Sequence, residues 1–293
     1  MQHMGGFCAY HGMRKGNTRW YVVVRTSAST PPVRLLRWPP DATMRRMSDA
    51  AESKVAVIVP AAGAGKRFGG KGSKILQRIG EQPIFIRTLE LFTNRDDVCD
   101  TQLVVSPRDM DELKQRFGGH LGFMGVRVVE GGPTRAQSVK NALAGVPETA
   151  AYVCVHDAVR PCVSHLWVDA VFAEARKTGA AILAIPVHGT LKKVSDARVI
   201  EQTVPRGDLW EAQTPQVFRR DLLVKAYEGN LEGATDDAQL VEALGHPVSV
   251  VPGDPRNVKI TTPRDLRLAA AVIRSLPKPK PKGPSHPFAE AQW

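Results

Sequence analysis

The sequence predicts an α/β protein with a doubly wound, mostly parallel sheet, and three observations lead to this fold class. Short apolar segments alternate with segments of helical periodicity over most of the chain, as in repeated β–α units. The apolar segments are continuous and rich in β-branched residues, which is typical of strands buried on both faces. The predicted strands span residues 55–60, 101–106, 126–130, 151–156, 180–187 and 247–251, and the predicted helices span residues 83–93, 109–117, 135–144, 166–177, 220–228, 236–244 and 263–273.

The composition is that of an ordinary globular protein. The chain has 293 residues, of which 43% are hydrophobic and 24% charged, enough to bury a full core. No apolar run approaches the roughly 20 residues of a membrane-spanning helix, so we expect no membrane partner. The four cysteines form no CxxC pair and show no metal-type spacing. They predict free thiols and a reducing, cytoplasmic location.

The formal net charge of +11 is concentrated at the two ends of the chain. Residues 1–47 hold eight basic residues and one acidic residue, and residues 275–293 hold three lysines and one glutamate. The part between them is left with a net charge of about +2. A nucleic-acid-binding module is therefore the unfavoured alternative, since the body has no basic face, zinc knuckle or aromatic RNA-binding run.

The same differences in composition predict the domain organisation. Residues 1–53 form a basic N-terminal extension, expected to be disordered, for which an upstream extension is favoured over an organelle transit peptide. Residues 54–274 form the α/β domain, and residues 275–293 form a tail rich in proline and lysine. Within the domain, two short apolar segments joined by residues 195–198 predict a hairpin, part of an arm at about 187–214.

The loop after the first predicted strand has the composition of a phosphate-binding loop. Ligands of doubly wound sheets bind at the carboxyl ends of the strands. Small residues there let backbone N–H groups approach phosphate oxygens, and basic side chains supply countercharge. The loop is neither a Walker A nor a GxGxxG motif, and a plain tight turn is the alternative. The residues concerned are Ala61, Ala62, Gly63 and Gly65, then Lys66 and Arg67, and further along Lys74.

A second candidate group follows the predicted strand at 151–156. Asp157 stands at the carboxyl end of that strand, with Arg160 three residues later. A carboxylate in this position suits Mg²⁺, which binds one or two carboxylates together with substrate phosphates. The alternative is an Asp157 that pairs with Arg160 or caps a turn. His156 is interpreted as a packed neighbour rather than a metal ligand.

Two further groups are less distinctive. Gly131 and Gly132 precede Thr134 at the start of a predicted helix, where Thr134 is a plausible N-cap and the glycine backbone could contact a base edge. Arg135 and Ser138 continue this motif. Four polar residues lie near proline turns, and each taken alone is more often a surface residue. They are Thr190, Arg206, Thr214 and Lys259.

In their order and spacing, these motifs resemble the 2-C-methyl-D-erythritol 4-phosphate cytidylyltransferase family over about 54–274. The resemblance implies a Rossmann-like nucleotidyltransferase fold and a homodimer whose hairpin arms cross. It is carried by residues 61–67, Lys74, and residues 131–139, 156–161, 186–192, 209–218 and 257–261.

The resemblance also implies a role for most of the candidate residues. Arg67, Lys74 and Lys259 would be catalytic, with Arg67 and Lys74 on the CTP phosphates. Asp157 would hold Mg²⁺ or another divalent cation. The acceptor phosphate would bind Thr190, Arg206 and Lys259, and either of the first two could serve the partner's site. The remaining substrate-binding residues would be Ala61, Ala62, Gly63, Gly65, Gly132, Arg135, Ser138, Arg160 and Thr214.

The residue types themselves predict the kind of reaction. Cations, a glycine backbone and one carboxylate suit in-line attack of an acceptor phosphate on the α-phosphorus of a nucleoside triphosphate, with loss of pyrophosphate. The resemblance implies that this nucleotide is CTP. No Ser-His-Asp set points to a covalent nucleophile. The open alternatives are a ribitol 5-phosphate cytidylyltransferase and, less favoured, a sugar-nucleotide pyrophosphorylase that uses another nucleoside triphosphate.

Overall fold

The computed structural model describes residues 53–63 and 74–277, and the elements below belong to these ranges. The strands are β1 (Val55–Pro60), β2 (Arg78–Ile79), β3 (Gln82–Pro83), β4 (Val98–Val105), β5 (Val126–Glu130), β6 (Tyr152–Val155), β7 (Ala180–Pro186), β8 (Leu191–Val194), β9 (Ile200–Val204), β10 (Trp210–Arg219) and β11 (Ser249–Pro252). The helices are α1 (Ile84–Thr93), α2 (Pro107–Phe123), α3 (Arg135–Leu143), α4 (His165–Thr178), α5 (Arg220–Ala226), α6 (Asp237–Glu242) and α7 (Pro263–Val272), with 3₁₀ turns at Lys74–Leu76 and Ile273–Ser275.

Seven strands form the central sheet, in the order β11-β7-β10-β6-β1-β4-β5. All pairings are parallel except those of β10, which runs antiparallel to both β6 and β7. The prediction of a doubly wound, mostly parallel sheet is confirmed. The order places β1 between β6 and β4, so the loops that follow these central strands meet at one edge of the sheet.

The sheet is covered by apolar side chains on both faces, as its continuous β-branched strands predict. Along β1, alternate residues point to opposite faces. Val57 and Val59 join one buried cluster, which includes Phe85, while Ala56 and Ile58 join the other. With both faces packed, a site is expected at the ends of the strands, and in doubly wound sheets ligands bind at the carboxyl ends.

Strand β10 is the main element that the strand prediction did not include. Its first residues pair with β7 and its last residues with both β7 and β6, and the register is interrupted between Ala212 and Gln216. Irregular residues of this kind bend a strand and redirect its side chains. Because β10 begins at Trp210, the last residues of the predicted arm at 187–214 belong to the central sheet.

The predicted hairpin is present as β8 and β9, which pair only with each other in the described part of the chain. The residues of β8 and β9 are exposed apart from the partly buried Val204. The hairpin therefore has almost no contact with the core, and its role as an arm stays a prediction. Among the described helices, none is both long and apolar enough to cross a bilayer.

Candidate active site

A cleft of about 210 Å³ opens at the carboxyl ends of β1, β5 and β6. It brings together residues from five separate parts of the sequence, and most of these residues had been singled out by the motifs. Pro133, Thr134 and Ile75 also line it. The lining residues that were candidates from the sequence are Ala61, Ala62, Gly63, Lys74, Gly132, Arg135, Ser138, Asp157 and Lys259.

The turn between β5 and α3 needs its two glycines. A Cβ at Gly131 would lie 2.6 Å from Cβ of Ala62, and a Cβ at Gly132 would lie 2.4 Å from Cγ of Gln137. Buried Ser138 accepts a hydrogen bond from the Gly132 N–H at 3.0 Å. The turn is therefore packed tightly against the first loop, with its backbone at the wall of the cleft.

The N-cap of α3 confirms the reading of Thr134. Its side chain accepts a hydrogen bond from the Gln137 N–H at 3.0 Å. The Ser138 hydroxyl donates to the Thr134 carbonyl at 2.8 Å. Arg135 thus stands at the first position of a fixed helix, which holds its guanidinium at the cleft.

Asp157 lies at the floor of the cleft among three cations. Its Oδ2 atom is 2.7 Å from Nζ of Lys259, its Oδ1 atom is 3.2 Å from Nε of Arg135, and Arg160 Nε approaches Oδ2 to 3.8 Å. Burial alone would raise the pKa of Asp157, but the charges of Arg135 and Lys259 outweigh it and hold that pKa well below its ordinary value. The carboxylate is therefore ionised at neutral pH.

A buried chain of hydrogen bonds supports Asp157 from below. Its backbone N–H donates to Oγ1 of Thr214 at 3.1 Å, and the Thr214 hydroxyl donates to Nδ1 of His156 at 3.0 Å. The other ring nitrogen of His156 donates to the Arg160 carbonyl at 3.1 Å; this tautomer is the one that satisfies all three contacts. Burial lowers the pKa of His156 to about 4, so the ring is neutral. His156 is a packed neighbour, as the sequence suggested.

The loop that carries Lys259 is fastened to β10 by two buried amides. Nδ2 of Asn257 donates to Oε1 of Gln213 at 3.1 Å and to the Thr214 carbonyl at 2.9 Å. Arg160 donates through Nη1 to the Asn257 carbonyl at 2.7 Å. These bonds fix the backbone two residues before Lys259. The sequence marked Asn257 only as part of a motif and gave Gln213 no role of its own.

Asp237 is a residue of the site that the sequence analysis did not choose. It is fully buried, and its Oδ2 atom accepts a hydrogen bond from Nη2 of Arg135 at 2.7 Å. Its Oδ1 atom accepts from the Tyr227 hydroxyl. The preceding Asp236 caps α6 by accepting from the Gln239 N–H, and capping accounts for only one of the two adjacent carboxylates. The presence of a second carboxylate, Asp237, directly after the N-cap is the sequence feature that could have pointed to a role in the site.

The remaining candidates are placed away from the cleft lining. Thr190 and Arg206 flank the hairpin and are exposed, and Arg206 donates to the His188 carbonyl. Thr214 and Arg160 lie buried behind Asp157. The candidates Gly65 and Arg67 lie outside the described residues.

Comparison with known proteins identifies the same family that the sequence motifs resemble. The profile of the 2-C-methyl-D-erythritol 4-phosphate cytidylyltransferase family matches residues 55–275. A protein of that name from Rhodopirellula baltica is 40% identical over 235 residues, which cover 75% of this chain and 95% of the relative. One from Frankia casuarinae is 41% identical, over 76% of this chain and 82% of the relative.

Solved structures agree with the sequence relatives. The crystal structure of the 2-C-methyl-D-erythritol 4-phosphate cytidylyltransferase from Thermus thermophilus matches with a TM-score of 0.63 and 34% identity, over 75% of this chain and 99% of that one. The 4-diphosphocytidyl-2C-methyl-D-erythritol synthase from Anaerococcus prevotii matches with a TM-score of 0.65 and 28% identity, over 77% and 99%. The chain belongs to the 2-C-methyl-D-erythritol 4-phosphate cytidylyltransferase family.

Proposed function

We propose that this chain condenses CTP with 2-C-methyl-D-erythritol 4-phosphate, forming the CDP-polyol and releasing pyrophosphate in the non-mevalonate route to isoprenoid precursors. The family match over residues 55–275 carries this conclusion. The cleft fits it, because cations, a glycine turn and a single carboxylate meet at the carboxyl ends of β1, β5 and β6.

The chemistry needs no covalent intermediate. An oxygen of the acceptor phosphate forms a bond to the α-phosphorus of CTP, while the bond from that phosphorus to the bridging oxygen breaks and pyrophosphate leaves with the electron pair. Negative charge shifts toward the departing oxygens. The enzyme contributes alignment and fixed positive charge, and each preorganised donor is typically worth about 3–4 kcal/mol. Lys74 and Lys259 line the cleft where this charge develops.

The nucleotide is assigned to the side of the cleft formed by the two glycine-containing loops. Gly132 lines this wall and has no side chain, so its backbone can lie against a flat base edge. We assign the triphosphate to the loop that begins at Ala61 and continues through Gly65 and Arg67.

The acceptor phosphate is assigned to Lys259 and to the arm. Thr190 and Arg206 are exposed and absent from the cleft lining, so they reach an acceptor only if another surface meets them. A crossed homodimer, in which the arm of one copy covers the cleft of the other, would supply that surface. Several exposed apolar side chains support such a dimer: Val194, Val199, Ile200, Leu209 and Trp210.

Asp157 fits a site for Mg²⁺ that is shared with the nucleotide. The described residues hold no group of three or more His, Cys, Asp or Glu side chains placed to bind a metal. One carboxylate completed by phosphate oxygens is, however, a common arrangement for Mg²⁺. Each oxygen of Asp157 has one close cationic contact and can accept further ones. A bound cation would neutralise charge on the triphosphate, while Lys259 and Arg135 hold the carboxylate in place.

The cysteines are consistent with a cytoplasmic enzyme. Cys99, Cys154 and Cys162 are free thiols, and the latter two are buried. Burial raises the pKa of the Cys162 thiol to about 12, so it remains protonated and unreactive. We therefore place the protein in a reducing compartment.

A direct assay distinguishes this function from its nearest alternative. CTP-dependent release of pyrophosphate is measured with 2-C-methyl-D-erythritol 4-phosphate and with D-ribitol 5-phosphate under the same conditions. We expect a much higher kcat/KM for the first acceptor. A preference for ribitol 5-phosphate would reassign the substrate, and a rate that does not depend on either acceptor would overturn the proposed function.

A further inference from the structure

Asp237 is a carboxylate with no exposed surface, and both of its oxygens are engaged. Oδ2 accepts from Nη2 of Arg135 at 2.7 Å and Oδ1 accepts from the Tyr227 hydroxyl. An unpaired carboxylate in such a place is strongly unfavourable. The pair with Arg135 therefore offsets the cost of burying this carboxylate, and the carboxylate fixes where the guanidinium can lie.

The position of Asp237 is itself tied to the strand that leads to the active site. The backbone N–H groups of Asp237 and Ala238 donate to Oε1 of Gln216 at 3.1 and 3.0 Å. Nε2 of Gln216 donates to Oδ2 of Asp236 at 2.8 Å. Gln216 belongs to β10 and stands opposite Val155 of β6, two residues before Asp157. The buried carboxylate and the site carboxylate therefore share one rigid frame.

Arg135 divides its donors between these two carboxylates. Nη2 makes the short contact with Asp237, and only Nε reaches Asp157, at 3.2 Å. A guanidinium that faces a single carboxylate prefers two parallel hydrogen bonds to it. Asp237 disfavours that arrangement because it holds Nη2 at 2.7 Å, so Oδ1 of Asp157 keeps one longer contact with Nε at 3.2 Å instead of becoming part of a closed ion pair.

We propose that Asp237 is a positioning residue for the metal and nucleotide site. It holds the Arg135 guanidinium in single contact with Asp157 and so leaves an oxygen of that carboxylate available to a nucleotide-bound divalent cation. The inference rests on the proposed metal role of Asp157. Asp237 itself is enclosed in the protein and acts only through Arg135.

The test measures how much a divalent cation strengthens CTP binding. Calorimetry gives the dissociation constant of CTP with EDTA and with Mn²⁺, and their ratio is the metal-dependent gain, which does not depend on turnover. Asp237→Asn keeps the shape of the side chain but removes its charge, so Arg135 should close on Asp157. We expect the metal-dependent gain in CTP affinity to fall about tenfold, which is the usual effect of losing an outer partner of a metal ligand. The melting temperature of each variant is measured in parallel, to detect a general loss of stability.

Tyr227→Phe is the matched control, since it removes a hydrogen bond from the same carboxylate but keeps the charge. It should lower the melting temperature while leaving the metal-dependent gain unchanged. A gain that falls as far in Tyr227→Phe as in Asp237→Asn would mean that general loosening is responsible. That result, or an unchanged gain in Asp237→Asn, would overturn the proposal.

The double variant Arg135→Met/Asp237→Asn separates the mechanism from folding defects. With no guanidinium left to close on Asp157, the gain should return to at least the unsubstituted value. A gain as low as that expected for Asp237→Asn alone would refute the proposal, even if that single variant did not fold.

Asp157→Asn tests the premise that Asp157 holds the metal. A full metal-dependent gain in Asp157→Asn would refute this metal assignment. A full gain in Asp237→Asn alone would refute only the positioning role of Asp237 and leave the metal assignment intact.

Discussion

At the scale of single residues, Asp157 illustrates how a nearly enclosed carboxylate stays charged. Burial raises its pKa, yet Arg135, Lys259 and Arg160 lie close enough to reverse the effect. These residues are far apart in the sequence, so only the fold can assemble them.

The motifs identified most of the cleft but not the residues that hold it. Asp157 was chosen from the sequence as a carboxylate at a strand end, Lys74 as a cation that follows the glycine loop, and Lys259 through the resemblance to the family. All three line one cleft. Asp237 was not chosen, because its partner Arg135 lies 102 residues earlier in the chain. Such a pairing depends on tertiary structure, and its one local sign is a second carboxylate beside the N-cap Asp236.

The glycine-containing loop after β1 gives a prediction that compares three nearby basic residues, Lys66, Arg67 and Lys74. Arg67→Ala and Lys74→Ala should each lower kcat on the order of 10²-fold, because a lost cation matters most where charge grows toward the transition state. Lys66→Ala is the control and should cost much less. Steady-state kinetics with CTP varied measures the effect. A mild effect of Arg67→Ala would show that this loop does not carry the chemistry.

His156 predicts how stability depends on pH in the absence of divalent cations. Its pKa falls from an ordinary 6.5 to about 4 in the fold, so between these values the unfolded chain binds a proton that the native protein does not. Stability is therefore fully present above pH 6.5 and is lost as the pH falls toward 4, by about 3 kcal/mol from this group. Denaturant unfolding at several pH values measures it. In His156→Gln this part of the slope should disappear, and an unchanged slope would exclude His156 as its source.

At the scale of elements, the predicted strands were confirmed where the sequence is continuously apolar and β10 was missed where it is not. The segment that forms β10 contains Glu211, Gln213, Thr214, Pro215 and Gln216, a composition that disfavours a central strand. Tertiary contacts override this preference. The polar side chains of Gln213 and Gln216 are buried and hydrogen bonded to neighbouring loops, so they build the site instead of weakening the sheet.

Helix α2 was predicted at 109–117 and extends over Pro107–Phe123. The later part contains Gly118, Gly119 and Gly122, which have low helix propensity. Leu121 is buried in the core from this part. Packing of one apolar residue extends the helix beyond the point at which local preference would end it.

The fastening of the Lys259 loop to β10 gives a prediction at this scale. Asn257→Asp replaces the Nδ2 donor with an oxygen that faces the acceptors of Gln213 and Thr214. Because buried acceptors are then unsatisfied, we expect a loss of about 2 kcal/mol or more, together with a lower kcat and a higher KM for the acceptor as Lys259 shifts. Unfolding and two-substrate kinetics measure both effects.

Asn230→Asp is the matched control for that prediction. Asn230 is exposed and uses only its oxygen, which accepts from the Glu232 N–H at 2.9 Å. The same chemical change should therefore be close to neutral there. Equal effects at the two positions, or an unchanged KM for the acceptor in Asn257→Asp, would mean that the amide does not position Lys259.

At the scale of the whole molecule, the basic ends and the body are predicted to be separable. The described core is built from residues of the central domain, and the terminal segments carry no core-forming pattern in the sequence. A chain limited to residues 47–276 should keep its activity and melting temperature. Its affinity for DNA at low salt should fall, because most of the net positive charge has been removed. A large loss of activity or stability would show that an end is part of the functional fold.

Exchange between subunits provides the sharpest test of the crossed dimer. Arg206→Ala damages the arm and leaves the cleft intact, while Lys259→Ala damages the cleft and leaves the arm intact, so each variant alone should be nearly inactive. If the arm of one copy serves the cleft of the other, a mixed dimer has one cleft of the first variant paired with one intact arm of the second. Equal mixing after dissociation should then restore about a quarter of the sites, as random pairing in a two-fold dimer requires. Pyrophosphate release measures this recovery of activity.

Ile200→Asp, added to both variants, is the control. It places a charge on an exposed apolar residue of the arm, so it should prevent pairing and abolish the recovery of activity. Each arm would serve its own cleft if the mixture stayed inactive while light scattering still showed dimers, because the two damaged functions would then remain on separate sites.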